Sequence, residues 1–146
     1  MHTEHLQNVG VGRVVGGWLV AAAVTSLVVF VFIASGAGTG EGVGNAVATT
    51  ISVAAGFAAG GFFTGFRAMR APILHGAGIG ITSVVAWALA NVVVLFEPDA
   101  VYRGVTPAVV AALMLVQLVA AVIGALLGYN VALRGKPGLR EDLDGS

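Results

Sequence analysis

Cysteine is absent from this chain of 146 residues, so disulfide bonds, thiolate metal sites and a cysteine nucleophile are excluded. Charge is scarce as well. Only 10% of the residues are charged, and seven basic residues balance seven acidic ones, whereas a soluble domain carries about 25% charged residues. The chain therefore lacks the polar surface that water requires, and it has no excess of basic residues for binding nucleic acid.

The uncharged apolar residues are concentrated in four long runs. At 1.5 Å per residue, about 20 apolar residues reach across the hydrocarbon core of a bilayer. The predicted membrane spans cover about 14–34, 45–66, 73–96 and 107–133, and 134–146 form a short cytoplasmic tail. We therefore predict a single transmembrane domain, residues 1–146, with an all-α fold: an integral membrane four-helix bundle made of two helical hairpins.

The basic residues predict how this bundle is oriented. With four spans, the N-terminus, the turn between the second and third spans and the C-terminal tail all lie on one side. That side holds Arg13, Arg67, Arg70, Arg134, Lys136 and Arg140. The opposite side holds only Arg103. By the positive-inside rule, both termini are predicted to be cytoplasmic, in a multi-pass protein of the cell (cytoplasmic) membrane.

No Asp, Glu, Lys or Arg lies within any predicted span. Ion-coupled transporters and proton relays normally place ionisable groups inside the membrane, so this absence argues against them. The spans also lack a Ser/His/Asp or paired-carboxylate arrangement, and the loops are too short to carry one. We therefore predict no enzyme activity, no catalytic residues, no cofactor and no metal site.

Glycines recur at four-residue spacing near the predicted cytoplasmic ends of the last three spans. In a soluble helix, each glycine costs about 1 kcal/mol relative to alanine. In a bilayer, small residues at this spacing let two helix backbones approach closely. The predicted helix-packing residues are Gly56, Gly60, Gly61, Gly65, Gly76, Gly80, Gly124 and Gly128. We expect them to be buried within the bundle or against a partner.

The two halves of the chain also resemble each other. Residues 28–32 match 92–96 at an offset of 64, and Gly61 and Gly65 match Gly124 and Gly128 at an offset of 63. Halves with the same orientation would be related by a pseudo-two-fold axis along the membrane normal. Chance matching between low-complexity apolar segments is the alternative explanation.

Hydrogen-bonding side chains lie towards the middle or the outer end of the spans. The candidates for a polar lining are Thr49, Ser52, Ser83, Asn91 and Gln117. In the structural interpretation, they bond across helices or back to their own carbonyls, and each interhelical bond is worth about 0.6 kcal/mol. In the functional interpretation, they line an outward-facing cavity for a polar or amphipathic ligand. Serine and threonine satisfy themselves easily in lipid, but the amide of Gln117 has more donors and acceptors than its own helix can satisfy.

Three residues are predicted to lie at the membrane interface: Arg67, Arg70 and His75. The two arginines are expected to anchor the topology and to contact lipid phosphate. His75 either caps a helix end or touches headgroups. Alternatively, it acts as a proton-sensitive switch, because histidine titrates near neutrality.

A recognisable motif lies around the turn between the second and third spans. It consists of the segment from Gly60 to Ala68, followed by Leu74, His75, Gly76 and Gly80. A glycine pair, an aromatic residue, a further glycine and a basic residue precede Leu-His-Gly at the start of the third span. This pattern resembles a group of small prokaryotic membrane proteins with four predicted spans, a domain of unknown function. The likeness covers about the central third of the chain. It implies a shared bundle and no particular activity.

Three classes of function are considered for this pattern. The leading hypothesis is a non-enzymatic membrane protein that acts through glycine-mediated helix packing, as a homo-oligomer or as an accessory subunit of a membrane complex. The alternative is a small channel or ligand-binding helical bundle with a polar outward-facing cavity. An intramembrane enzyme is a third class. The expected partners are the lipid bilayer and either a second copy of the chain or another membrane subunit.

Overall fold

The computed structural model describes residues 10–37, 43–68, 71–94 and 106–135. They form four helices: α1 (Val11–Ala34), α2 (Val43–Arg67), α3 (Pro72–Val94) and α4 (Pro107–Arg134). The predicted all-α four-helix bundle is confirmed, and the described ranges contain no strand. All four helices are long and apolar enough to cross a membrane, as judged by length and composition.

The helix ends follow local sequence signals. Thr106 caps α4, because its side-chain oxygen accepts a hydrogen bond from the backbone N–H of Val109 at 3.4 Å, and Pro107 occupies the first turn. Helix α1 begins three residues before the predicted span and so includes Arg13 in its first turn. The predicted end of the third span, at residues 95 and 96, lies outside the described residues.

Small residues fill the interior of the bundle and large apolar residues cover its outside. Ala21, Ala121 and Ala125 are completely buried. Large apolar side chains on every helix face outwards, among them Leu19, Phe30, Ile51, Phe62, Ile81, Leu89, Leu115 and Leu127. A water-soluble protein rarely exposes contiguous apolar surface on this scale, whereas small residues between helices and large ones outside are typical of packing in lipid.

Helices α2 and α4 form the closest pair, and they run in the same direction. A Cβ atom added to Gly61 would collide with the carbonyl oxygen of Ala121, and one added to Gly124 would collide with that of Ala58. One turn further on, Gly65 meets the carbonyl of Ala125, and Gly128 meets that of Phe62. The two backbones therefore touch at four points, which side chains at these glycines would prevent.

These four contacts are reciprocal. Gly61 and Gly124 are 63 positions apart, and so are their partners Ala58 and Ala121. Exchanging the two halves of the chain therefore exchanges one contact for the other, which is the relation that a pseudo-two-fold axis requires between α2 and α4.

Helices α1 and α3 match at an offset of 64, which pairs Gly12 with Gly76 and Gly16 with Gly80. Gly76 and Gly80 pack against α4, whereas a Cβ added at Gly12 or Gly16 has no atom within 4 Å. The reciprocity of the two halves is thus a property of the inner pair of helices.

Candidate functional site

The bundle has a tightly packed end, which we call the basic end because every basic residue of the described ranges lies there: Arg13, Arg67 and Arg134. At this end α1 and α2 touch backbone to backbone, since a Cβ on Gly60 would meet the carbonyl oxygen of Gly17. The buried hydroxyl of Thr64 donates to the carbonyl of Gly60 at 2.9 Å and lies 3.4 Å from that of Arg13. Where Gly17 meets Gly60, no side chain separates the two backbones.

His75 lies inside the basic end and not at its surface. Its side chain is completely buried, so the expected contact with lipid headgroups is not what the structure shows. Its Nδ1 lies 2.9 Å from the carbonyl oxygen of Ala71, and its Nε2 accepts from the backbone N–H of Gly10 at 3.4 Å. These bonds are those of the tautomer with its hydrogen on Nδ1, and they tie the start of α1 to the start of α3.

Arg67 is exposed at the end of α2, as its predicted place at the interface requires. Its guanidinium carbon lies 4.4 Å from the centre of the Phe63 ring, which is a cation–π contact. Arg70, the other predicted anchor, lies outside the described residues.

Towards the opposite end, the helices enclose a cavity of about 480 Å³ that all four of them line. In its wall, the indole N–H of Trp18 on α1 donates a hydrogen bond to Oγ of Ser83 on α3, at 3.0 Å. The polar and aromatic side chains in its wall are Trp18, Thr25, Ser26, Phe57, Ser83, Trp87 and Gln117. Aliphatic side chains, including Leu113 and Met114, complete the wall. None of the lining residues is charged.

The cavity lies beside a contact between α1 and α2 that continues along it. Gly17 and Gly60 hold the two helices together one residue before Trp18, and Gly56 packs against the backbone of Ala21 and Thr25 further on. Because Thr25 lies seven residues beyond Trp18, the wall of α1 extends about 10 Å along the helix axis. None of the residues that line the cavity is a glycine.

Two polar atoms in the wall have no partner. Oγ1 of Thr25 and Oε1 of Gln117 are both inaccessible to solvent and make no hydrogen bond to the described residues. An unsatisfied buried polar group costs about 1–3 kcal/mol. Neither atom is open to the cavity, and a Cβ on Gly56 would collide with Oγ1 of Thr25, so this oxygen lies at the contact between α1 and α2.

The residues predicted to line such a cavity divide into three groups. Ser83 and Gln117 are in the wall. Ser52 is buried but donates to the carbonyl of Ala48 at 2.7 Å, which agrees with the structural interpretation, and Thr49 lies on the exposed surface of α2. Nothing is described of the side chain of Asn91.

Trp18 and Thr25 belong to the site but are not among the predicted lining residues. A signal exists in their spacing, because Trp18, Ala22 and Thr25 are separated by four and three residues and so share one face of α1. That face is inconspicuous in a run that is apolar on all sides. Among the described residues, no group of three or more histidine, aspartate or glutamate side chains could hold a metal ion.

Fold and cavity together define the class: an all-α bundle of four helices with the length and composition of a multi-pass membrane protein, with a cavity inside one half. No family model, no curated protein and no solved structure matches the chain. The similarity to small four-span prokaryotic membrane proteins stays a prediction.

Proposed function

We propose that this protein is a membrane protein that binds a small amphipathic molecule inside its bundle. The observation that carries the proposal is the cavity itself, which all four helices line with mostly apolar side chains and a few polar ones, among them Trp18, Ser83 and Gln117. Its volume of about 480 Å³ lies within the roughly 300–1,000 Å³ of small-molecule sites. A mostly apolar wall with a few hydrogen-bonding groups is also the usual composition of such a site.

The apolar outer surface supports a location in lipid, and the basic residues support the orientation. Arg13, Arg67 and Arg134 lie at one end of the described bundle, and by the positive-inside rule this supports a cytoplasmic position for that end. The cavity then occupies the half of the bundle towards the outside of the cell membrane.

The geometry favours ligand binding over glycine-mediated assembly. At all eight predicted glycines, an added Cβ would come within 3.0 Å of an atom on another helix of the same chain. These glycines are therefore used for packing within the bundle and leave no predicted glycine face for a partner. A homo-oligomer or an accessory subunit would need a different contact surface.

Ligand binding is also favoured over conduction through a single chain. A continuous pore would have to pass the basic end, where Gly17 meets Gly60 and a Cβ on Gly76 would lie 2.8 Å from the Cα of Val122. The wall of the cavity ends at about the level of Trp18 and Ser83. The cavity is therefore a recess that ends inside the protein.

Replacing Gln117 with leucine tests the proposal. Protein purified from its native membrane in mild detergent should carry a bound small molecule, which organic extraction and mass spectrometry would detect at about one per chain. Loss of a buried hydrogen bond costs about 1–3 kcal/mol, so Gln117→Leu should lower the occupancy about tenfold or more. Compared with ligand-free wild-type protein, the variant should unfold at a higher temperature, because an unpaired buried acceptor has been removed.

Asn130→Leu is the matched control. Asn130 is an exposed amide on the same helix, near the basic end and outside the cavity, so this variant should keep the bound molecule. Wild-type protein that contains no bound small molecule after gentle purification would refute the proposed function.

The orientation has its own test, made simple by the cysteine-free chain. Helix α4 has 28 residues and a length of about 42 Å, so both of its ends should emerge from a hydrocarbon core of about 30 Å. In intact cells, a membrane-impermeant maleimide should label Ala108→Cys but should label Gly135→Cys only after permeabilisation. Both positions are exposed in the bundle. The reverse pattern of labelling would contradict cytoplasmic termini.

A further inference from the structure

The wall of the cavity is more open on one side than on the others. Its exposed members are Ser26 on α1 and Trp87 on α3. By contrast, Val53 and Phe57 on α2 are buried, and the lining residues of α4 are half-buried. The opening of the cavity therefore lies between α1 and α3.

The exposure of α3 changes at this opening. At the inner end of the cavity, α1 and α3 are joined by the hydrogen bond from Trp18 to Ser83. Beyond Ser83, every residue of the segment 84–90 except Ala86 is exposed. Because successive residues of a helix point about 100° apart, this segment is exposed on nearly every face. The outer half of α3 thus stands free of the close packing found elsewhere in the bundle.

The neighbouring contact between α1 and α2 stays closed beside the cavity. A Cβ on Gly56 would lie 2.6 Å from the carbonyl oxygen of Ala21 and 2.8 Å from the backbone nitrogen of Thr25. Thr25 is itself part of the cavity wall. A molecule could not pass here without separating two backbones, so the route into the cavity runs between α1 and α3.

The opening lies at the depth of the lipid tails. Ser26 and Trp87 are each about four residues, or about 6 Å, from the middle of their helices. In a bilayer with a hydrocarbon core about 30 Å thick, both residues are within this core. Exposed apolar side chains flank the opening, among them Leu27 and Leu89. The medium that meets the opening is therefore hydrocarbon and not water.

The wall suits a hydrocarbon chain. None of the lining side chains is charged, and most of them are apolar. An apolar cavity does not hold water well, and its lining atoms lack dispersion contacts while it is empty. A chain that enters from the bilayer supplies these contacts without giving up hydration, whereas a charged headgroup would have no counter-charge at this depth.

These observations concern the cavity of the proposed function, and the next step rests on that function. We infer that the ligand is a membrane lipid with a long hydrocarbon chain, which enters sideways from the bilayer between α1 and α3. Its chain lies in the cavity against Phe57 and Leu113, and the part that does not fit extends through the opening into the bilayer. The cavity volume of about 480 Å³ therefore does not limit the length of the ligand.

The tryptophans of the chain provide the measurement. The chain has two, and both line the cavity. Trp87 is 39% exposed and would be quenched by any lipid that touches the bundle. The Trp87→Phe variant removes this signal and leaves Trp18, which is half-buried at the inner end of the cavity.

The experiment asks which medium reaches Trp18. Trp87→Phe protein is freed of its bound molecule by detergent exchange and placed in nanodiscs of phosphatidylcholine with brominated chains or with ordinary ones. The brominated chains should quench most of the Trp18 emission. Acrylamide, a neutral quencher dissolved in the water, should quench it only weakly in the nanodiscs with ordinary chains.

Two substitutions separate quenching inside the cavity from quenching at the outer surface. Ala22→Leu adds volume to the wall one turn from Trp18 and should restore most of the emission lost to brominated chains. Val110→Phe does the same from α4 and should have the same effect. Ala23→Leu adds its volume on the exposed side of α1 and should leave the quenching unchanged.

The possible failures are separable. Strong quenching by acrylamide with weak quenching by brominated chains would show that the cavity opens to water, and it would overturn the inference. Quenching by brominated chains that neither Ala22→Leu nor Val110→Phe reduces would also overturn it, because the chains would then lie outside the cavity. So would a molecule without a long hydrocarbon chain, extracted from the native protein, although the proposed function would stand. Absence of any extractable molecule would overturn the proposed function itself.

Discussion

Gly61→Ala is expected to destabilise the bundle by about 3 kcal/mol, although alanine is the better helix former. The added Cβ would collide with the backbone carbonyl of Ala121, and its next neighbours are further backbone atoms of the same residue, so no side chain can rotate away. Helices α2 and α4 would have to separate. The measurement is the free energy of unfolding in mixed micelles, followed by helical circular dichroism.

The reciprocal contact makes this prediction specific. Gly124→Ala should cost a similar amount, because its Cβ would meet the carbonyl of Ala58 in the equivalent geometry. Gly16→Ala is the matched control, since Gly16 is also a helical glycine but has nothing within 4 Å of an added Cβ. It should be neutral, or stabilising by up to about 1 kcal/mol. Equal stabilities for Gly61→Ala and Gly16→Ala would show that α2 and α4 do not touch in this way.

Ala22→Leu is expected to have the largest effect on ligand binding. Ala22 lies in the cavity wall between Trp18 and Thr25, so a leucine there would project into the space that the ligand needs. Occupancy by the native small molecule, measured by extraction and mass spectrometry, should fall by more than about tenfold, equivalent to 1.4 kcal/mol. The fold should be preserved, because the new side chain enters a cavity and not a packed interface.

The neighbouring residue supplies the control for this substitution. Ala23 is exposed on the outer surface of α1, so Ala23→Leu adds the same volume towards the surroundings and should leave occupancy unchanged. If both variants retain the bound molecule, the binding site lies elsewhere. If both lose it, the effect comes from α1 as a whole and not from the volume of the cavity.

The prediction of polar lining residues shows a limit of sequence patterns, because spacing along the chain does not reveal which helix face points into the bundle. Thr49 and Ser52 lie on the same side of their span as packing glycines, yet one faces outwards and the other bonds to its own helix. The amide of Gln117 cannot satisfy itself within a helix, and in the structure this residue lies in the cavity wall with its Oε1 buried and unpaired. The hydrogen bonds that an amide needs are thus a better guide to the cavity wall than the position of a residue on a helical face.

The place of His75 could not be predicted for a related reason. Hydropathy locates it near the end of a span, where it is expected either to cap a helix end or to contact headgroups. Its burial depends on the arrival of Gly10 from the start of α1, which is 65 positions away. A contact of that separation leaves no trace in the local sequence.

Composition and hydropathy are enough to establish four helices and an all-α bundle, because a chain with this little charge must satisfy its backbone internally and has few ways to do so. The glycine spacing likewise predicts close helix contacts, since small residues permit them wherever they occur. The sequence does not show which helix faces pack against each other. The pairing of α2 with α4, the burial of His75 and the cavity beside Gln117 depend on how four packed helices fill space together, and each of those contacts joins residues that are distant in the chain.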